Sequence, residues 1–391
     1  MTLLSSSMFA TEVAKAPRAL LFIDSLKAGG AERITLRWAE WLQSAGWDVV
    51  LLTSKNIDHD FYPCPTEIQR WIEPPAPSKR LRWLVWPKRI LTLRRLLSKG
   101  HFSLLIGVTT IPAIKLTLAA QGIGIPVIVS ERNYPPARHL SIPWRILRRI
   151  AYPRSTLHLV QTERIARWLR RHHLAVRTAC LSNPVSWPLP CHDPVVDPNH
   201  WLAPGSKLLL AVGTKLYQKG FDRLVESFAL IADRFPSWNL AIVGLDSHLY
   251  HGINQIDYLR SLVGNPALQS RIQFPGKIGN PSDWYKKADL FILSSRYEGY
   301  PNVLLEAMAS GCSCIAYDCP TGPSELMEHG SNGWLIPAES TVSELASSMS
   351  VLMSDHQLRE RLGMAAMAVR DHNSAERIES QFHRIVASIC P

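Results

Sequence analysis

The stretch from Asp289 to Tyr317 contains a strand, a loop, a helix and a second strand, and it constrains the fold more than any other part of the chain. Asp289-Leu290-Phe291-Ile292-Leu293 is a short apolar run with no polar alternation, the pattern of a strand covered on both faces. A loop carrying Glu298 and Gly299 follows. A helix is predicted from near Pro301, because a missing N–H costs nothing in a first helical turn. That helix carries Glu306, and Ser313–Tyr317 reads as the second strand, ending in a Gly/Pro turn. Strand, glycine loop and helix start leave backbone N–H groups pointing out of the fold, an arrangement that binds anions. Glu298 and Glu306, eight residues apart, can reach different hydroxyls of one ligand lying across the helix start. The same two residues also fit a purely structural reading, with Glu298 favoured by the helix dipole and Glu306 an exposed helix residue.

Two further glycine turns follow apolar runs. Ala19–Asp24 reads as a buried strand, followed by Gly29-Gly30 and a helix whose Ile34, Trp38, Trp41, Leu42 and Ala45 keep helical spacing up to Gly46. Asp48–Thr53 completes a βαβ unit, whose ligand crevice lies at the carboxyl ends of its strands. Gly29 and Gly30 let backbone approach a phosphate closely, or simply make a tight turn. Lys207–Val212 is the corresponding strand later on, leading into Gly213-Thr214-Lys215-Leu216-Tyr217-Gln218-Lys219-Gly220. Open backbone and compact positive charge after a strand suit a diphosphate.

Further strands are predicted at Ser103–Val108, Pro126–Ser130, Leu157–Val160, Ala179–Leu181 and Asn239–Gly244, and helices at Val342–Met353, Gln357–Arg370 and Ala375–Ile389. Strands alternating with helices imply doubly wound α/β domains. At 391 residues the chain is long for one core. We expect a loose leader (1–17), a first Rossmann-like domain (18–186), a Pro/Asp/His-rich linker (187–206), a second such domain (207–371) and a final helix (372–391).

Net charge is +11, unevenly spread: residues 1–190 hold 27 Lys/Arg against 11 Asp/Glu, and residues 191–391 hold 16 against 21. The halves should meet different partners. Lys79–Lys99 has eight Lys/Arg and no acid, among Trp and Leu residues that include Trp83 and Leu84. Arg138–His173 has nine arginines and one acid, with Trp144, Ile146, Leu147, Ile150 and Trp168. Basic helices with an apolar side can lie in an anionic membrane interface, or can turn that side into the core. No nucleic-acid-binding motif accompanies the charge, so nucleic acid is not an expected partner. The apolar runs are too short to span a bilayer, and no basic region precedes the first one, so neither a membrane span nor a cleaved signal peptide is expected. Seven cysteines without a paired CxxC fit a reducing cytoplasm, and the clustered Cys312, Cys314 and Cys319 read as buried reduced thiols.

The segment around Glu298 and Glu306, with Glu298-Gly299-Tyr300-Pro301-Asn302, Ala307-Met308-Ala309-Ser310-Gly311, Thr321-Gly322-Pro323-Ser324-Glu325 and Gly330-Ser331-Asn332-Gly333, resembles the E-x7-E motif of the retaining GT-B glycosyltransferases of family four. Gly29-Gly30-Ala31-Glu32-Arg33 and Ser182-Asn183-Pro184-Val185 resemble that family's first loop and its interdomain segment. The resemblance implies a GT-B fold, two doubly wound Rossmann-like domains facing a cleft, with the last helix crossing back to the first domain. It implies hexosyl transfer from a nucleotide sugar, UDP-linked, to a lipid-linked or polysaccharide acceptor at the inner face of the cell membrane, with retention and without a metal or cofactor. Carried over residue by residue, Glu298 and Lys219 would be catalytic. Gly29, Gly30, Gly213, Thr214, Lys215, Gly299, Tyr300, Pro301, Asn302, Val303 and Glu306 would line the donor. Two positions depart from the pattern. Thr214 stands where the family has an arginine beside the diphosphate, and Ser130-Glu131-Arg132-Asn133, as in a bacterial polysaccharide and lipid-linked glycan subgroup, lacks the usual histidine. Arg132 is the acceptor-side candidate. Both departures leave open a catalytically silent, membrane-associated subunit of a glycan assembly complex.

Overall fold

A computed structural model describes residues 16–27, 29–74, 86–137, 139–245, 249–250 and 252–390. Most of the 1–17 leader, residues 79–85 of the first basic stretch with Trp83 and Leu84, and Arg138 lie outside the described residues.

Strands β1 (Arg18–Ile23), β2 (Asp48–Thr53), β3 (Gln69–Ile72), β4 (Leu104–Val108), β5 (Val127–Glu131), β6 (Leu157–Val160) and β7 (Thr178–Cys180) form a sheet in the order β3-β2-β1-β4-β5-β6-β7. After β8 (Lys207–Val212) and β9 (Trp238–Val243) comes a short antiparallel hairpin of β10 (Leu249–Tyr250) and β11 (Ile253–Asn254). With β12 (Ile272–Gly276), β13 (Leu290–Leu293), β14 (Cys314–Asp318) and β15 (Trp334–Pro337), a second sheet runs β12-β9-β8-β13-β14-β15, parallel throughout.

Helices α1 (Gly30–Ser44), α2 (Trp86–Lys99), α3 (Thr110–Ala120), α4 (Ile142–Ala151) and α5 (Glu163–Arg171) belong to the first half of the chain. The second half adds α6 (Leu216–Lys219), α7 (Phe221–Ile231), α8 (Gln255–Ser261), α9 (Pro266–Gln269), α10 (Pro281–Lys287), α11 (Asn302–Ala309), α12 (Pro323–Leu326), α13 (Val342–Ser354), α14 (His356–Ala366), α15 (Val369–His372) and α16 (Ala375–Ala387). Two compact units divide the chain after Ile128.

The second sheet shows why its strands read as unbroken apolar runs. Leu209, Ala211, Leu240, Ile242, Ile315 and Tyr317 face a core closed by α7 (Leu224, Phe228) and α13 (Leu345, Met349). The alternate residues Leu208, Leu210, Ala241, Val243, Phe291, Leu293, Cys314 and Ala316 face a second core, closed by α10 (Trp284, Tyr285) and α11 (Leu304, Leu305, Met308). Each large side chain fully buried there contributes roughly 1.5–3 kcal/mol. In the first unit, Leu20, Phe22, Val50, Leu52 and Leu105 pack with Leu93 and Leu97 of α2 and Leu116 of α3.

Strand order reverses beside β8, which lies between β9 and β13. In a doubly wound sheet the ligand crevice opens at that reversal, outside the carboxyl ends of the strands. The loops leaving β8 and β13 are therefore brought together by topology.

Several expectations need correction. Pro301 is not in the first turn of α11 but precedes it, with φ −82 and ψ 83. Glu306 is 9% exposed, so it is not an open helix residue. The helix expected over 357–370 is two helices, α14 and α15. The linker is irregular yet packed: Leu189 and Leu202 are buried, and the Val196 carbonyl accepts from Trp284 Nε1 at 3.0 Å. The expected burial of Cys312, Cys314 and Cys319 as free thiols does hold, and burial pushes Cys312 and Cys319 up to about 12. Among the described residues, no helix is long and apolar enough to cross a membrane.

Candidate active site

At the carboxyl end of β8, Gly213 makes room for a lysine. A Cβ there would fall 2.7 Å from Lys219 Cγ, so the stem of Lys219 lies across bare backbone. α6 ends at Lys219, and Gly220 turns the chain at φ +62 into α7, a left-handed conformation open to glycine at no steric cost. From the carboxyl end of β13, Ser294 Oγ donates to the Lys219 carbonyl at 2.8 Å. Arg223 of α7 donates to the Ser294 and Ser295 carbonyls at 2.8 and 2.6 Å, its guanidinium 3.5 Å from the Tyr317 ring. Arg296 closes a bidentate pair with Asp222 at 2.8 and 2.7 Å. The two loops are thus bolted together by side chains from both.

The loops deliver one ion pair. Lys219 Nζ lies 2.7 Å from Glu298 Oε1, the side chains 15% and 7% exposed. Ser295 Oγ donates to the same oxygen at 2.6 Å, and Thr321 Oγ1 donates to the Glu298 carbonyl. Among the described residues nothing donates to Glu298 Oε2. One oxygen of this carboxylate is fixed, and the other is available to a ligand hydroxyl.

Gly299 marks a second close approach. A Cβ on it would fall 2.3 Å from the Arg132 carbonyl oxygen. Arg132 lies just past β5 and is buried; its guanidinium donates to Asn183 Oδ1, and Asn183 Nδ2 donates to Asn302 Oδ1 at the start of α11. With its amide oriented to suit its neighbours, Gln161 donates to the Arg132 carbonyl at 3.0 Å and accepts from the guanidinium at 3.2 Å. Burial lowers the Arg132 pKa to about 9, which leaves it a cation at neutral pH. Tyr300 is turned inward, its hydroxyl accepting from Asn373 Nδ2 at 2.9 Å, and burial pushes it up to about 12.

Glu306 sits on α11 opposite α10. Tyr285 Oη donates to Glu306 Oε2 at 3.3 Å and to the Val303 carbonyl at 3.2 Å. The N–H of Asn302 turns back to the Tyr300 carbonyl at 3.0 Å, so it is not one of the outward-pointing donors expected at this helix start. Thr214 and Lys215 are exposed, Lys215 immediately preceding α6. Gly29 and Gly30 lie in the first unit, where Gly29 is extended at φ −175 and precedes α1. A Cβ on Gly29 would fall 2.3 Å from the Glu32 carboxylate, which folds back over its own helix start.

Of the residues singled out in sequence, the structure brings Glu298, Lys219 and Gly213 into one cluster, and Gly299, Arg132 and Asn302 into an adjoining one. Thr321 and Asn183 were quoted only as motif residues without a role, and Ser295 and Gln161 were not anticipated. Among the described residues, no three His, Cys, Asp or Glu side chains gather to hold a metal ion.

Comparison with known proteins adds the following. Residues 29–184 match the family described as glycosyl transferase 4-like domain, and residues 197–369 match glycosyl transferases group 1. A lipopolysaccharide core biosynthesis mannosyltransferase of Rhizobium meliloti, LpsB, is 31% identical over 42% of this chain and 46% of its own length. The first curated relatives are matched over 17–49% of their own lengths. A sucrose-phosphate synthase from Thermosynechococcus elongatus aligns with a TM-score of 0.78 at 19% identity, over 95% of this chain and 99% of that one. Anabaena HepE in complex with UDP-glucose aligns at 0.71 and 17% identity, over 95% and 99%. The fold is GT-B, with two Rossmann-like parallel sheets.

Proposed function

The chain belongs to the group 1 glycosyltransferases, with a 4-like N-terminal domain, and from that premise we propose that it transfers a hexosyl residue from a UDP-linked sugar to a lipid-linked or polysaccharide acceptor. The observation that carries this reading is the Lys219–Glu298 pair at the strand-order reversal of the second sheet. The names of LpsB, a lipopolysaccharide core enzyme, and of HepE bound to UDP-glucose support the acceptor and donor classes.

Breaking a sugar–phosphate bond puts negative charge on the diphosphate and positive charge on the sugar. Lys219 answers the first with a compact cation whose stem Gly213 accommodates, helped by the exposed Thr214 and Lys215 beside it. Glu298 answers the second, its free oxygen orienting a sugar hydroxyl. Glu306, oriented by Tyr285, takes the ribose hydroxyls, with Tyr300, Pro301, Asn302 and Val303 shaping the wall between the two carboxylates. Arg132 acts on the acceptor side through Asn183. The acceptor oxygen bonds the anomeric carbon on the face from which the diphosphate departs, and the diphosphate takes the acceptor's proton, so the sugar keeps its configuration, and no metal or cofactor takes part. A lipid-linked acceptor places the transfer at the cytoplasmic membrane face.

The test is thermal denaturation with UDP, GDP and ADP, beside a Glu306→Ala control. A nucleotide at ~100 times its dissociation constant adds roughly 2.7 kcal/mol to stability. A shift with UDP that the control loses supports the reading. No shift with any nucleotide overturns it in favour of the silent subunit, the reading that exposed Thr214 in place of an arginine favours.

A further inference from the structure

The second unit has a basic cavity whose lining does not include Glu298. Tyr134, Arg164, Arg167, Trp168, Arg171 and His172 line a space of about 460 Å³. The three arginines recur at i, i+3 and i+7 on α5 and share one helix face, where like charges repel. Among the described residues, none of the three guanidinium groups makes a side-chain hydrogen bond or close ion pair. The one acid on their own helix, Glu163, is engaged by Arg170, and both Glu163 and Glu325 meet Arg167 only as more distant charges. Behind the Trp168 wall lies a fourth cation. The Arg148 guanidinium of α4 stands 5.3 Å from the Trp168 ring, and its buried Nε and Nη1 have no hydrogen-bond partner. A cavity of this kind attracts a compact polyanion.

Through Arg148 and Trp168 the cavity joins an apolar row. Ile142, Ile146 and Ile150 of α4 are 70%, 53% and 41% exposed, one helical turn apart, with exposed Arg145 and Arg149 among them. Half-buried Trp144 and Leu147 and buried Ala151 turn another side of this helix inward, so the isoleucine row is left facing out. An exposed apolar row flanked by cations matches the boundary between lipid head groups and acyl chains.

We propose that the α4–α5 face docks on an anionic membrane, with a lipid phosphate in the Arg164/Arg167/Arg171 cavity and the three isoleucines inserted beside it. The lipid is the source of the phosphate, because a soluble phosphate leaves the isoleucine row without a partner. The docking deepens the proposed transfer to a lipid-linked acceptor and rests on it for its purpose.

The experiment is flotation of the full chain with phosphatidylcholine vesicles, with and without phosphatidylglycerol. The protein is expected to float only with the anionic lipid. Arg164→Gln/Arg167→Gln/Arg171→Gln should weaken that binding on the order of 100-fold. A charge-matched control at the exposed Lys286, Arg361 and Arg377, each changed to Gln, should not match that loss. Ile142→Ser/Ile146→Ser/Ile150→Ser should remove the part of binding that survives raised salt. Equal loss in the control, or none in the arginine variant, overturns the proposal. So does an arginine-dependent thermal shift with inorganic pyrophosphate in a protein that ignores vesicles. Flotation that persists in a protein with no UDP shift would leave the docking intact and sink only the transferase reading.

Discussion

Glu298→Gln should separate donor binding from turnover. Lys219 Nζ and Glu298 Oε1 are 2.7 Å apart, and both side chains are largely buried. At an effective dielectric of about 20, unit charges at that distance attract by roughly 6 kcal/mol, most of it offset by desolvation of the pair. A double-mutant cycle of Glu298→Gln with Lys219→Met should give a coupling of about 2 kcal/mol in urea unfolding. A nucleotide diphosphate that recruits Lys219 has to draw the ammonium away from this carboxylate. Glutamine keeps the size and removes the competitor, so UDP should bind as tightly as before or up to roughly tenfold tighter, a gain of ~1.4 kcal/mol. Turnover should fall at least ~100-fold, because the charge facing the developing positive sugar is gone. Lys219→Met should do the reverse to binding, weakening UDP by tenfold or more. Calorimetric titration with UDP and steady-state turnover of the three variants provide the assay. If Glu298→Gln weakens UDP as much as Lys219→Met does, the competition argument is wrong.

Gly299→Ala places a Cβ 2.3 Å from the Arg132 carbonyl, so two backbone segments must part by about 1 Å at a cost of roughly 1–3 kcal/mol; an unchanged melting temperature would dismiss the contact. Thr214→Arg adds a cation on the exposed loop after Gly213 and should tighten UDP several-fold, and UDP binding that does not change would remove this loop from the diphosphate site. His158 is buried, with Nδ1 3.2 Å from Ser155 Oγ, and burial lowers its pKa from 6.5 to about 3. The unfolded chain therefore binds the extra proton between those values, so stability falls as pH drops through that window, by about 3 kcal/mol at pH 4. Urea unfolding of His158→Gln should lose that share of the acid sensitivity, and an identical pH profile would refute the assignment.

How much of this was legible follows from where each signal resides. β8, β9, β13 and β14 could be read because a parallel strand buried on both faces leaves a continuous apolar run. β3 (Gln69–Ile72), which mixes polar and apolar residues, and β15 (Trp334–Pro337), four residues ending in proline, are short half-exposed edge strands, so neither stood out from loop. Glu298, Gly299 and Lys219 were legible as loop residues after strands. Their partners were not. Asn183 reaches Asn302 across 119 positions, and no local periodicity encodes such a contact. The side of α4 that faces outward was likewise hidden, because amphipathic spacing says that two faces exist and leaves their neighbours unstated.

The two glutamates show the same division most clearly. In sequence they form one motif, eight residues apart. In the fold they belong to different elements with different partners: Glu298 to Lys219 and Ser295 at the ends of β8 and β13, Glu306 to Tyr285 between α10 and α11. Separate partners allow separate tuning. Tyr285→Phe should loosen Glu306 by a hydrogen bond worth about 1 kcal/mol without touching the ion pair. UDP affinity should then fall severalfold while the Lys219–Glu298 coupling energy in the double-mutant cycle stays unchanged. A change in that coupling would mean that the two carboxylates act as one unit, and the division of roles between leaving group and ribose would have to be abandoned.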